Sequence, residues 1–183
     1  MKIVISGSAC TGKTTLAKAL AERTGATCVA EGFEPIFERE PGDSKRFADL
    51  LPLFMQVLDD KHAHELALPA FVADRGPADV LAFWLGLRGK GMGPETTEIH
   101  NRCAQYMAHY DRVVIPPFGI FPMRPKAVGK VGQRVPSPWV QLRSHALISG
   151  LVLHLVGPRR LLQIPRRLPP DQWCDFVLEK VKA

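Results

Sequence analysis

Residues 7–14 read Gly7-Ser8-Ala9-Cys10-Thr11-Gly12-Lys13-Thr14 and satisfy every fixed position of the pattern G-x-x-x-x-G-K-[ST]. The β-branched run Ile3-Val4-Ile5 precedes this octet, and Leu16-Ala17-Lys18-Ala19-Leu20-Ala21-Glu22 follows it. A strand is therefore expected before the loop and a helix after it, which is the context the pattern requires. Gly7 and Gly12 permit backbone conformations and close approaches that a Cβ would block. The backbone N–H groups of residues 7–15 (Gly7, Ser8, Ala9, Cys10, Thr11, Gly12, Lys13, Thr14 and Thr15) and the positive end of the following helix can then cradle a polyphosphate. Lys13 reaches the outer phosphates and the Thr14 hydroxyl is placed for Mg²⁺. A nucleoside triphosphate is the expected ligand.

At 183 residues the chain is read as one domain over residues 1–183, large enough to bury a core. It is 46% hydrophobic and 23% charged, and it has no apolar run of membrane-spanning length. The N-terminal apolar stretch is too short for a signal segment and reads as strand. Cys10, Cys28, Cys103 and Cys174 show no C-x-x-C spacing, so reduced thiols in a cytoplasmic protein are expected. Charge is uneven: Lys+Arg number 13 against 15 Asp+Glu in residues 1–121, but 11 against 3 in residues 122–183. The basic third lacks the dense basic run and interleaved aromatics of a nucleic-acid surface, so phosphate-facing arginines are the simpler expectation.

Along the chain, apolar runs that suit buried strands fall at 26–30, 70–73, 112–116 and 161–164, in addition to the first. Helical patterns cover 13–23, 45–66 with a break near Pro52, 78–87, 95–109, 138–155 and 170–182, and residues 33–40 suggest a short helix or turn. Strands alternating with helices imply an α/β, three-layer fold with a parallel five-stranded sheet covered on both faces, and a site at the strands' carboxyl ends. Residues 117–137 are rich in Pro and Gly, and the segment 122–135 is expected to form a basic lid.

Three features fall at strand ends: the Gly7 loop, Glu31 and Asp74. Asp74 can hold Mg²⁺ directly or through water, or else cap the helix opened by Gly76-Pro77. Arg75 can clamp a phosphate or pair with a surface carboxylate. Glu31 can accept a proton from a substrate hydroxyl or stand as a solvated loop residue. Arg134 is the preferred lid residue to stabilise charge on a transferring phosphoryl group, with Arg143 a rival. Gln56 can read a nucleobase or ribose edge, or lie on the surface. His62 and His64 read as a solvated pair, and Trp84, Trp139 and Trp173 as packing residues.

The octet Gly7 to Thr14, a glutamate ending the second strand, Asp74-Arg75 ending the third and a basic lid resemble the P-loop kinase branch. That branch holds the deoxynucleoside kinases, thymidylate kinase and the ribosylnicotinamide kinases. Asp74-Arg75-Gly76-Pro77 and Val114-Ile115-Pro116-Pro117 are especially similar to small AAA-like ATPase/kinase proteins grouped with the ribosylnicotinamide kinases. The resemblance implies a P-loop NTPase fold, nucleotide-kinase-like, with Lys13 and Thr14 on phosphate and Mg²⁺. It also implies Glu31 as the substrate-side carboxylate, Asp74 as the metal-side acid and Arg134 as the lid arginine. Relatives often carry an acid and a glycine before that arginine, where this chain has Val131-Gly132-Gln133-Arg134.

The expected function is a cytoplasmic, ATP- and Mg²⁺-dependent kinase acting on a nucleoside- or nucleotide-like small molecule, with Lys13, Mg²⁺ and a lid arginine on the γ-phosphoryl group, Glu31 or Asp74 orienting the acceptor, and no membrane partner. A nucleotide-dependent switch or ATPase without an acceptor is the alternative, and a nucleic-acid-binding ATPase a third. Nothing in the sequence names the acceptor, the choice of ATP over GTP, or the oligomeric state.

Overall fold

The computed structural model describes residues 1–33, 36, 50–88, 93–123, 127–128, 132–133 and 137–182. Within them the chain runs β1 (Lys2–Ile5), α1 (Lys13–Thr24), β2 (Thr27–Val29), α2 (Leu51–Leu66), β3 (Phe71–Asp74), α3 (Pro77–Arg88), α4 (Pro94–Met107) and β4 (Arg112–Ile115). It continues through β5 (Ala127–Val128), β6 (Gly132–Gln133), α5 (Pro138–Val156), β7 (Leu161–Gln163), a 3₁₀ turn (Pro170–Gln172) and α6 (Trp173–Lys182).

The five-stranded sheet has the order β2-β3-β1-β4-β7 and every pairing is parallel. Its side chains alternate between two cores, as period-2 strands require. Ile3, Ile5, Val72 and Val114 face α1 and α6, where Leu16, Leu20, Trp173 and Val177 pack. Val4, Phe71, Ala73, Val113 and Ile115 face the other way, onto Ala78, Met107, Ile148 and Val152 of α3, α4 and α5. A third cluster joins α2 to α3 and α4 through Phe54, Leu58, Leu81, Trp84 and Ile99. Each Val, Leu, Ile, Phe or Met among them taken fully out of water contributes about 1.5–3 kcal/mol.

The helix boundaries have local causes. α1 ends at Gly25, whose φ of 67° lets its N–H turn back onto the carbonyls of Ala21 and Glu22. α2 opens with Pro52 in its first turn, as the expected break requires. Ser137 caps α5 by accepting the Val140 N–H at 3.4 Å.

Several expectations need correction. The second strand is an edge strand with Thr27 and Cys28 exposed, because only β3 flanks it. The segment 122–135 contains a two-stranded antiparallel pair, β5 with β6, where the sequence suggested loop alone. Trp139 is 75% exposed on α5, whereas Trp84 and Trp173 are buried. His64 is exposed, but His62 stacks on Tyr106 with ring centroids 3.8 Å apart, so the two do not form a solvated pair. The suggested element at 33–40 lies almost wholly outside the described residues. None of the four cysteines forms a disulfide. No helix among the described residues is long and apolar enough to cross a membrane.

Candidate active site

β1 runs straight into the phosphate-binding loop, which is shaped by left-handed backbone at Cys10 (φ 59°) and Gly12 (φ 80°). Alternating handedness of this kind curves a loop so that its N–H groups can converge on an anion. Gly12 is required twice over, because a Cβ there would also meet the Phe121 ring at 2.6 Å. Thr11 Oγ1 donates to the Ser8 carbonyl at 3.0 Å and so stiffens the loop from inside.

Lys13 opens α1 yet is buried, and its Nζ donates to the Ser8 carbonyl at 2.5 Å. Burial, followed by the like charge of Arg75, lowers its pKa to about 7. A desolvated ammonium of this kind regains its charge beside a phosphate oxygen.

Next to it, Thr14 Oγ1 donates to Asp74 Oδ2 at 2.5 Å, which joins the helix start to the end of β3. Asp74 is buried, and its Oδ1 has no hydrogen-bond partner among the described residues. A hydroxyl and a carboxylate in contact, with one carboxylate oxygen uncommitted, fit a Mg²⁺ ion that takes one or two protein oxygens and completes its shell with phosphate and water. No cluster of three or more His, Cys, Asp or Glu suited to a metal occurs among the described residues. Asp74 does not cap α3. Asp79 does so instead, accepting the Gly76 N–H at 3.1 Å.

Asp79 belongs to a buried hub. Its Oδ1 also accepts the Gly7 N–H at 3.1 Å and Arg75 Nη1 at 3.2 Å. Arg75 adopts left-handed backbone (φ 64°), a conformation costing a non-glycine residue about 1–3 kcal/mol, and three contacts hold it there. They are Asp79, the Gly7 carbonyl at 3.1 Å, and Glu31, whose Oε1 lies 2.8 Å from Arg75 Nε. Burial works against the Arg75 charge, but Asp79 and Glu31 outweigh it and hold its pKa above the ordinary value. Arg75 is thus committed to the buried Asp79 and the partly exposed Glu31.

A second buried group supports the Glu31 side. Lys61 Nζ donates to the Ala30 carbonyl at 2.7 Å and lies 3.4 Å from Glu65, which accepts the Tyr110 hydroxyl at 2.6 Å. Burial lowers the Lys61 pKa and raises that of Glu65. From the opposite side α5 reaches the loop, where Gln141 Oε1 accepts the Ala9 N–H at 3.1 Å.

Of the residues expected from sequence, Thr14 touches Asp74, Lys13 sits on the Ser8 carbonyl of the loop, and Glu31 is joined to the loop through Arg75 and Asp79. Gln56 and Arg143 are exposed on α2 and α5. Arg134, with Arg124, Lys126 and Lys130, lies outside the described residues. Sequence reasoning missed Asp79, whose signal was available as an acid three residues after Gly76 in a helix's first turn. It also missed Lys61 and Glu65, because an i,i+4 Lys–Glu pair ordinarily reads as a solvated helix face. Gln141 and His145 carry no local signal.

Three comparisons bear on this geometry. The family profile described as an AAA domain matches residues 2–121. No curated protein matches the chain by sequence. Among solved structures, the fold is similar to NadR protein in complex with NR, with a TM-score of 0.66 and 15% identity over 99% of this chain and 51% of that one. The chain therefore spans about half the length of the NadR structure it matches. It is also similar to deoxyadenosine kinase from M. mycoides with products dCMP and dCDP bound (TM-score 0.62, 15% identity, 100% of this chain and 98% of that one). Shikimate kinase from Aquifex aeolicus gives a TM-score of 0.54 and 18% identity over 100% of this chain and 96% of that one. The expected α/β fold with a parallel five-stranded sheet, and the resemblance to this group of kinases, are borne out.

Proposed function

Because this chain belongs to the AAA domain family, we propose that it is an ATP-dependent phosphotransferase that moves the γ-phosphoryl group to a nucleoside- or nucleotide-like small molecule. The contact between Thr14 and Asp74 carries the reading, since it brings the helix start of the phosphate loop to the end of β3 and leaves a carboxylate oxygen uncommitted between them. The likeness in fold to deoxyadenosine kinase and shikimate kinase supports the same class.

In this reading the loop N–H groups and Lys13 bind the triphosphate, and Thr14 with Asp74 hold Mg²⁺. Bound there, Mg²⁺ supplies charge neutralisation on the phosphate oxygens. Glu31 orients the acceptor hydroxyl. As the acceptor oxygen bonds to the γ-phosphorus and the bond from that phosphorus to the β,γ-bridging oxygen breaks, the hydroxyl proton passes to the Glu31 carboxylate and ADP leaves. Arg75 holds Glu31 in place and Asp79 holds Arg75. A lid over 122–135, with Arg134 as its phosphate-facing residue, completes the site, and the cytoplasm is the compartment proposed.

The experiment is ATP turnover with Mg²⁺, measured without acceptor and across a panel of nucleosides, nucleotides and ribosylated pyridines, with Glu31→Gln beside the wild type. Turnover that requires one acceptor and falls about 10²-fold or more in the variant supports a kinase. Turnover independent of every acceptor overturns it in favour of a nucleotide-dependent switch or ATPase, whereas acceptor-dependent turnover equal in the variant removes the role of Glu31 and leaves the kinase standing.

A further inference from the structure

Two side chains of α5, one helical turn apart, face the phosphate loop. Gln141 Oε1 accepts the Ala9 N–H at 3.1 Å, so its amide nitrogen, with two donors, is the end left for other partners. His145 lies against Gly7: a Cβ at that glycine would sit 3.5 Å from its Nδ1 and 3.6 Å from its Cε1. The ring leans on Phe118 with centroids 5.7 Å apart. Its Nδ1 is buried and has no hydrogen-bond partner among the described residues. An orphaned buried nitrogen is costly, and a site that keeps one beside a phosphate loop gains when a ligand satisfies it.

Position along the loop selects the phosphate. The loop's backbone serves the inner phosphates, and its lysine reaches the outer ones. Lys13 Nζ sits on the Ser8 carbonyl, next in the chain to Gly7 and Ala9, the two residues that α5 touches. α5 thus meets the outer end of the cradle.

We infer that His145 contacts the terminal phosphoryl group of the bound triphosphate, donating from Nδ1, and that Gln141 is the positioning residue that sets Ala9 and the loop for that contact. This rests on the reading of the loop as an ATP site. Charged groups face the His145 ring from two elements, Lys13 on α1 and Asp79 on α3. Burial and then Lys13 hold its pKa below the ordinary value, while Asp79 opposes them. A phosphate beside it reverses that balance, and the imidazole takes a proton from solvent as the triphosphate binds. A diphosphate, lacking the terminal group, leaves it unchanged.

The test is NMR of the full chain with ¹⁵N-labelled histidine, the His145 signals being assigned by their loss in His145→Gln. Titrations are run free, with Mg-ADP and with the non-hydrolysable analogue Mg-AMP-PNP, and binding of each nucleotide is followed by calorimetry. An upward move of the His145 pKa with the triphosphate analogue alone is expected. The same titration in all three states, with both nucleotides bound, overturns this inference and leaves the ATP reading standing. Failure of either nucleotide to bind overturns both. Acceptor-dependent kcat is expected to fall about 10- to 100-fold in His145→Phe, with part retained in His145→Gln and the affinity for ADP unchanged.

Discussion

The Asp79 carboxylate accepts the N–H of Gly7 at 3.1 Å, tying the first glycine of the phosphate loop to the first turn of a helix 72 residues later. The same carboxylate takes Gly76 N–H and Arg75 Nη1, so the shape of the loop and the aim of Arg75 depend on one buried acid. Glu31 joins through Arg75. In the proposed reaction the acceptor side and the phosphate side would therefore share one hydrogen-bonded element, which favours holding two reacting groups in one geometry.

Asp79→Asn is expected to destabilise the fold by about 3 kcal/mol, because it leaves the buried Arg75 with one carboxylate and puts an amide donor among N–H donors. For a chain of this size that is a fall in Tm of roughly 6–12 °C. A double-mutant cycle with Arg75→Met checks the pairing: the two losses should fall well short of adding, and simple additivity would refute the hub.

Asp74→Asn is expected to lower kcat about 10²-fold or more and to raise the Mg²⁺ concentration needed for half-maximal turnover, since it removes a charged oxygen from the proposed metal site. Thr14→Ala should act in the same direction. Steady-state kinetics across a Mg²⁺ series decides the matter, and an unchanged Mg²⁺ requirement in both variants counts against the pair.

Gly12→Ala is expected to cost more stability than Gly7→Ala. Both glycines have positive φ, but the added Cβ at Gly12 meets the Phe121 ring at 2.6 Å, and that ring is backed edge-on by Trp173. At Gly7 the nearest atom is at an ordinary 3.5 Å. Thermal melts should recover partly in Gly12→Ala combined with Phe121→Ala, which relieves the overlap and leaves the backbone strain. No recovery would mean that φ alone is responsible.

Below pH 6.5 the protein is expected to lose stability through His62 and His109. Burial lowers both pKa values, helped at His62 by His109 and at His109 by Lys2. With the folded pKa below the unfolded one, the unfolded chain binds more protons in the interval between them. That stability is full above about pH 6.5 and is lost as pH falls through the folded values. Tm measured from pH 7.5 to 5 should fall less steeply in His62→Phe, which keeps a ring on Tyr106. Equal slopes in variant and wild type would dispose of the assignment.

What could be read from sequence was whatever depends on local chemistry. The loop from Gly7 to Thr14 carries its own signature because phosphate binding there needs particular residues at fixed spacing. Pro52, Gly25 and Pro77 mark helix ends because their backbone limits act within a few residues. The placing of Asp74 at the end of β3 and of Glu31 just past β2 was legible for a topological reason: in a parallel sheet the carboxyl ends of the strands gather at one edge. Reading failed where a side chain's surroundings come from distant chain. Trp139 was expected to pack and is exposed; Lys61 and Glu65, which local spacing did not single out, are buried.

The sequence by itself therefore determined the parallel α/β fold, the phosphate loop and the two strand-end carboxylates, because pattern and topology are written in residues near one another. Only the tertiary structure decided that Arg75 serves Glu31 and Asp79, that Asp79 holds Gly7, and that Gln141 and His145 reach the loop. Those contacts join segments far apart in the chain, and local spacing carries no information about which of them meet. Packing of α3 and α5 on one face of the sheet brings them to the end of β1, and there burial makes each unpaired charge costly enough to require its partner.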